Sequence, residues 1–111
     1  MEQTSRLSKL ASKAPMPVIG ADRDGRIIYA NDSLCALTGY DRADLLGEFF
    51  WEFIIAPNGD RQRRRFLTLR DEGLDNRFDT RVRTRKGREL LIAWHNIAFS
   101  DDDGRLEAVF S

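Results

Sequence analysis

The chain has 111 residues, of which 41% are hydrophobic and 32% charged, the proportions of a single globular domain with a small core rather than of a disordered tail. Lys+Arg and Asp+Glu balance at 18 each, so net charge argues neither for nor against nucleic acid or anionic lipid. No apolar run approaches the ~20 residues of a membrane span. The start of the chain lacks the apolar stretch of a secretory signal, and a single cysteine excludes an internal disulfide, which points to the cytoplasm.

Along residues 5–13, Leu7, Leu10 and Ala11 recur at helical spacing among polar residues, predicting a short amphipathic helix. Ala14-Pro15-Met16-Pro17 ends it, because the residue before a proline avoids helical backbone. Val18 to Ala21 and Arg26 to Tyr29 are predicted as a hairpin turned at Asp22-Arg23-Asp24-Gly25. Asn31, Asp32 and Ser33 are N-cap candidates for a helix carrying Leu34, Leu37 and Thr38 and closed by Gly39. Asp41 caps a second helix, which Gly47 closes. The run Phe49 to Ile55 is expected to form a short helical turn pushed into the core. Past Pro57-Asn58-Gly59, Asp60 caps a third helix bearing Phe66 and Leu69 and ending at Gly73. Phe78 to Arg83 alternates as a half-buried strand, Lys86-Gly87 turns into one long strand from Leu90 to Phe99, and Asp101-Asp102-Asp103-Gly104 turns into a last strand from Leu106.

Two strands, a helical insertion and three more strands define an α+β domain: a five-stranded antiparallel sheet, short helices over one face, and an N-terminal amphipathic helix. Residues 1–14 are assigned to that helix and its linker, and 15–111 to the domain. The apolar last strand is expected to lead on into a longer protein.

This order and its punctuation resemble the PAS family of sensor domains from about Ala14 to Ser111. Asp22 to Asn31, Leu37-Thr38-Gly39-Tyr40, Leu45-Leu46-Gly47, Arg85-Lys86-Gly87, Trp94 to Asn96 and Asp103-Gly104-Arg105-Leu106 carry the resemblance. Phe50-Trp51-Glu52-Phe53 and Ile92-Ala93-Trp94-His95-Asn96 look like the variant found in bacterial proteins upstream of histidine kinase, two-component or cyclic-di-nucleotide output domains. The resemblance implies a non-catalytic sensory or regulatory input module joined to an output domain. Two alternatives stand beside it: a structural homodimerisation module without ligand, and a redox sensor holding non-covalent flavin.

Domains of this family bind flavin, haem, small organic ligands or nothing. The photoactive flavin subclass carries a cysteine just beyond the Leu-x-Gly run, where this chain has Glu48 to Phe53 and no cysteine. Cys35 lies on the first helix and reads as a small buried hydrophobe. Haem-binding members take an axial ligand from the helix after the insertion, but Asp60 to Gly73 has no histidine, and His95 lies on a strand facing away from Trp94 and Asn96. Haem and covalent flavin are therefore disfavoured and the cofactor is left open. No Cys–His pair is expected, and Ser33 and Ser100 have no base to activate them. Asp101 to Asp103 lacks the spaced ligands and terminal Glu of a calcium loop and reads as a solvated turn, with no metal site. The arginines of 61–65 read as an exposed helix face, not a nucleic-acid site.

Strand alternation turns Phe78, Thr80 and Val82 inward with Leu90, Ile92, Trp94 and Asn96, and Arg77, Asp79, Arg81 and Arg83 outward. A pocket under the helices would be lined by Ile28, Leu37, Phe49, Phe53, Phe66, Leu69, Phe78, Val82, Ile92, Trp94 and Val109, with Asn76, Thr80 and Asn96 as its polar groups. That composition suits a solid core as well as a site for a small aromatic ligand. Leu91, Ala93, Ile97, Leu106, Ala108 and Phe110 are expected on the outer face, an apolar patch that monomers rarely leave bare. Leu7, Leu10 and Ala11, or a second copy of the domain, would cover it, so a homodimer is expected.

Overall fold

In the computed structural model, which describes residues 16–56, 59–70, 72–73 and 77–111, one five-residue turn recurs three times and sets the strand directions. The carboxylates of Asp22 and Asp101 each accept two backbone N–H bonds, from Asp24 and Arg26 and from Asp103 and Arg105, and the Thr84 hydroxyl accepts one from Arg88. In every case the first residue's N–H donates to the carbonyl of the arginine four positions on. The asparagine-like use of a short polar side chain to fold its own backbone is what favours Asp and Thr here.

The elements run β1 (Ile19–Asp22), β2 (Ile27–Ala30), α1 (Asp32–Thr38), α2 (Arg42–Leu45), a 3-10 turn (Phe50–Phe53), β3 (Ile54–Ala56), α3 (Gly59–Leu69), β4 (Arg77–Arg83), β5 (Glu89–His95), β6 (Ile97–Ser100) and β7 (Leu106–Phe110). All pairings are antiparallel, in the orders β2-β1-β7-β6 and β3-β4-β5. The long strand expected from Leu90 to Phe99 is divided at Asn96: β5 pairs with β4, and β6 pairs with β7. Taken through Asn96 as one bent strand, the sheet keeps its five expected positions, and β3 adds a short edge. That edge corrects the sequence reading of Phe49 to Ile55. Phe50–Phe53 is a helical turn, but Ile54 and Ala56 pair with Val82 and Arg81 of β4. The predicted N-terminal helix of residues 5–13 lies outside the described residues.

The first two helices begin on the predicted caps, whereas α3 begins at Gly59 and ends at Leu69, so that Asp60 stands in its first turn instead of capping it. Asn31 caps α1 by accepting the Leu34 N–H, and Gly39 closes it in left-handed backbone at φ 80. At α2 the Asp41 N–H donates to the Asp44 carboxylate. On α3 the arginine run is tied to its own helix, with Asp60 pairing Arg63 at 2.9 Å and Arg64 at 3.2 Å. The hydrogen bond from Arg63 leads in holding the Asp60 carboxyl below its usual range.

Two apolar clusters fill the space between sheet and helices. One gathers Ile27, Ala30, Leu34, Leu45, Val82 and Trp94, and the other Ala21, Trp51, Phe66, Leu106 and Val109. Trp51 joins the second cluster to the first turn. It stacks on Phe49 at 4.7 Å, Phe49 in turn lies under the Arg26 guanidinium, and the indole presses on Gly25. A Cβ at Gly25 would sit 2.2 Å from the Trp51 ring on backbone at φ +90, whereas one at Gly104, at φ +80, meets nothing within 4 Å. Gly104→Ala is expected to cost about 1–2 kcal/mol, the strain of a side chain on left-handed backbone. Gly25→Ala adds overpacking and should cost about 2–4 kcal/mol. Urea denaturation of both variants checks the difference, which isolates the contact with Trp51.

Candidate functional site

The inner faces of the sheet and of α3 do not close completely. Between them lies a cavity of about 130 Å³. The sheet contributes Ile19 and Ala21 of β1, Phe78 and Val82 of β4, Trp94 of β5, Asn96 at the bend and Val109 and Ser111 at the end of the chain. The helical side contributes Leu34 and Thr38 of α1, Tyr40, Leu45, Phe50 and Phe53, and from α3 the residues Gln62, Arg65, Phe66 and Leu69. The last four follow helical i, i+3, i+4, i+7 spacing and therefore share one face.

Local structure fixes most of the polar groups on this wall. Thr38 donates to the Leu34 carbonyl at 2.8 Å, and the Tyr40 hydroxyl donates to the Arg83 carbonyl at 3.2 Å. Trp94 turns its indole N–H away from the cavity, to the Thr80 hydroxyl at 2.9 Å. Asn96 accepts the Ser111 hydroxyl at 2.6 Å. Ser111 also exchanges two backbone bonds with Ile19, at 2.8 and 2.9 Å. The cavity wall is thus stitched to the last residue of the strand system.

Of the residues assigned to a pocket from sequence, Phe53, Phe66, Leu69, Phe78, Val82, Trp94, Asn96 and Val109 stand on this wall. Thr80 lies behind Trp94 as its hydrogen-bond partner, and Ile92 packs against the core cluster. Asn76 lies outside the described residues. Two assignments are corrected. Ile28 is 47% exposed, because Ile27 takes the core position opposite Ala21 across a bulge in the β1–β2 register. Leu37 is 44% exposed, because Leu34 and Thr38, one turn apart, form the buried face of α1. Phe49 is spent on Trp51 and Arg26.

The outer face is corrected in part. Leu91 (74% exposed), Ala93 and Ile97 stand open on it. Leu106, Ala108 and Phe110 are buried instead. Leu106 enters the core beside Trp51 and Phe66. Phe110 lies over Gly20, which offers no side chain to hold it off, between Tyr29 at 5.6 Å and Phe99 at 5.9 Å. Ala108 is paired between Asp22 and Phe99. Leu7 and Leu10 lie outside the described residues.

Gln62, Arg65, Tyr40 and Ser111 belong to the cavity without having been anticipated. The signal for the first two was present, since their spacing to Phe66 and Leu69 marks the inner face of α3. Their polarity hid it. Cys35 is half-buried on α1, and burial leads in pushing its thiol above the usual value, with smaller opposed effects from Arg42 and Asp32. Among the described residues, no group of His, Cys, Asp and Glu is placed to hold a metal, and no helix is long and apolar enough to cross a membrane.

An antiparallel sheet bent over short helices around a small cavity is a class of α+β domain, and comparison of the sequence with known families names which one. The PAS fold matches residues 5–111, and the chain belongs to that family, whose domains are in general sensory signalling modules rather than enzymes. It is similar to the PAS domain of an HTR-like protein from Haloarcula marismortui, with 25% identity over 98% of this chain and 88% of that one and a TM-score of 0.75. It is also similar to a domain of a sensory box sensor histidine kinase/response regulator from Geobacter sulfurreducens, at 21% identity, 97% and 92% coverage and a TM-score of 0.72. The N-terminal domain of a diguanylate cyclase with PAS/PAC sensor from Marinobacter aquaeolei matches at 18% identity, 85% and 88% coverage and a TM-score of 0.71. Among curated proteins there is no match.

The Trp94–Thr80 bond is open to a double-mutant cycle. Trp94→Phe leaves a hydroxyl in a residue 1% exposed without its donor, at an expected cost of about 1–3 kcal/mol beyond the lost volume. Adding Thr80→Val should recover part of that cost, a coupling that thermal or urea unfolding measures. For Cys35 the raised thiol value predicts slow alkylation near neutral pH. The rate with iodoacetamide should climb through a midpoint above that of an unhindered cysteine, as the thiolate forms.

Proposed function

We propose that this domain is the sensory input module of a larger signalling protein, in which the state of the cavity is passed to the chain at Ser111. The observation that carries the reading is the double tie at the cavity's end. Asn96 and Ser111 both line the cavity and are hydrogen-bonded to each other, and Ser111 is paired to Ile19 of β1. A ligand that claims the Asn96 amide competes with the Ser111 hydroxyl and loosens the strand that leads out of the domain. Both states then bias one element, which a relay needs. Similar domains come from histidine kinases and a diguanylate cyclase, which supports an output domain of that kind in the parent protein. A small aromatic ligand fits the Phe- and Trp-rich wall, whereas about 130 Å³ is near the size that accepts one benzene-like ring, too little for the three fused rings of a flavin. The free Cys35 suits a cytoplasmic setting.

Loss of one hydrogen bond is worth roughly 0.5–1.5 kcal/mol. Asn96→Ala should therefore speed hydrogen exchange at the Ile19 and Ser111 amides by roughly three- to tenfold, leaving the amides of the β4–β5 ladder unchanged. In the parent protein the same substitution should shift output. Unaltered exchange at Ile19 and Ser111 rejects the relay.

A second reading, homodimerisation, is favoured by the open Leu91, Ala93 and Ile97. It expects a dimer mass by light scattering that falls to the monomer value in Leu91→Glu or on removal of residues 1–13. A monomer throughout rejects it.

A further inference from the structure

We infer that the cavity takes a neutral cyclic amide, a single flat ring with an N–H donor and a C=O acceptor side by side on one edge, with the ring against Phe50, Phe53, Phe66 and Trp94 and the amide edge on Gln62. This rests on the reading of the cavity as a sensory site and adds the ligand's chemical class.

Gln62 decides the class. It lines the cavity from α3, one turn before Phe66 and two turns before Leu69 on the same face, and it is half-buried. A face serving packing alone would be apolar at that position. Gln62 makes no hydrogen bond to any described residue, whereas the other polar groups of the wall have partners within the protein. Thr38 gives its hydroxyl proton to Leu34, Tyr40 to Arg83 and Ser111 to Asn96, Trp94 gives its indole N–H to Thr80, and Arg65 is engaged as well. Gln62 therefore presents an amide whose carbonyl oxygen and N–H2 are both unmatched by the fold. A ligand meets both at once when it carries a donor and an acceptor on one edge, as one amide does against another. A carboxylate would leave the Gln62 carbonyl unmatched and a cationic amine its N–H2, and each would give up hydration against a wall made mostly of apolar side chains. The neutral amide edge avoids both costs. Volume sets the ring count. About 130 Å³ is close to that of an engineered cavity that binds benzene. Edge and face contacts with the surrounding rings favour a flat unsaturated ring over an alkyl body.

The test titrates the chain with 2-pyridone, N-methyl-2-pyridone and toluene, followed by amide chemical shifts and calorimetry. 2-Pyridone carries the full amide edge, its N-methyl form has lost the donor, and toluene has neither group. 2-Pyridone should bind roughly fivefold or more tightly than N-methyl-2-pyridone, as expected for one hydrogen bond whose loss leaves a carbonyl unmatched. Gln62→Met, which keeps the length of the side chain and removes its amide, should bring the two pyridones to the same affinity and leave toluene bound at least as tightly. Thr38→Val, on the same wall but with a hydroxyl already committed to Leu34, should keep the preference. Methionine is as good a helix former as glutamine, so Gln62→Met should leave the fold intact, which the far-ultraviolet dichroism checks. Equal affinity for the two pyridones in the unaltered chain, a preference that survives Gln62→Met, or equal losses in the Gln62 and Thr38 variants overturns the amide inference and leaves the pocket standing. Binding of none of the three probes overturns both.

Discussion

The fold hangs on Asn31. Its side chain is wholly buried and joins the first helix to the segment that enters the first strand. The amide oxygen accepts the Val18 N–H ahead of β1 and the Leu34 N–H in the first turn of α1, each at 2.9 Å, while the amide nitrogen donates to the Met16 carbonyl. One side chain thus caps the first helix, fixes the entry to the first strand and closes the end of the hairpin that precedes it. A buried polar group is tolerable only when it is satisfied, and a satisfied one specifies geometry more sharply than an apolar contact of the same size. Arg42 reinforces the joint by donating to the Ala30 carbonyl at 2.8 Å and pairing with Asp32.

The same end of the sheet carries part of the cavity wall, through Ile19, Asn96 and Ser111. In the aromatic cluster Phe49 stacks on Trp51, and Phe50 packs edge to face on both Trp51 and Phe66 of α3. Phe50 and Phe66 of this cluster also form part of the cavity wall, and Trp94, on the same wall, donates its indole N–H to Thr80. Asn31 and Asn96 stand at the same end of the sheet: Asn31 pairs with Val18, the neighbour of Ile19, and Asn96 holds Ser111, the backbone partner of Ile19.

The three turns show how far local chemistry reaches. Asp22, Thr84 and Asp101 each start a turn that closes on an arginine through glycine, and each is readable from the sequence because every bond is made within five residues. The caps at Asn31 and Asp41 are readable for the same reason. The faces of β4 and β5 were legible as well, since strict alternation leaves Arg77, Asp79, Arg81 and Arg83 no inward choice.

Legibility ended where a residue's environment is made by distant parts of the chain. Ile28 and Ile27 are the same residue type at neighbouring positions. Only the bulge in the β1–β2 register puts Ile27 inside. Phe110 and Leu91 both alternate to the outer face. One is buried across Gly20 between Tyr29 and Phe99, and the other stands in the open, a difference set by what the partner strands present. The cavity is of this kind too. The turns, the helix caps at Asn31 and Asp41 and the faces of β4 and β5 follow from the residues alone, because backbone geometry over a few positions sets them. Whether the facing surfaces would close into a solid core or stay about 130 Å³ apart was decided only by tertiary packing, as was which polar groups would stand at the opening. Volume left between elements is a property of how they are held, not of any one of them.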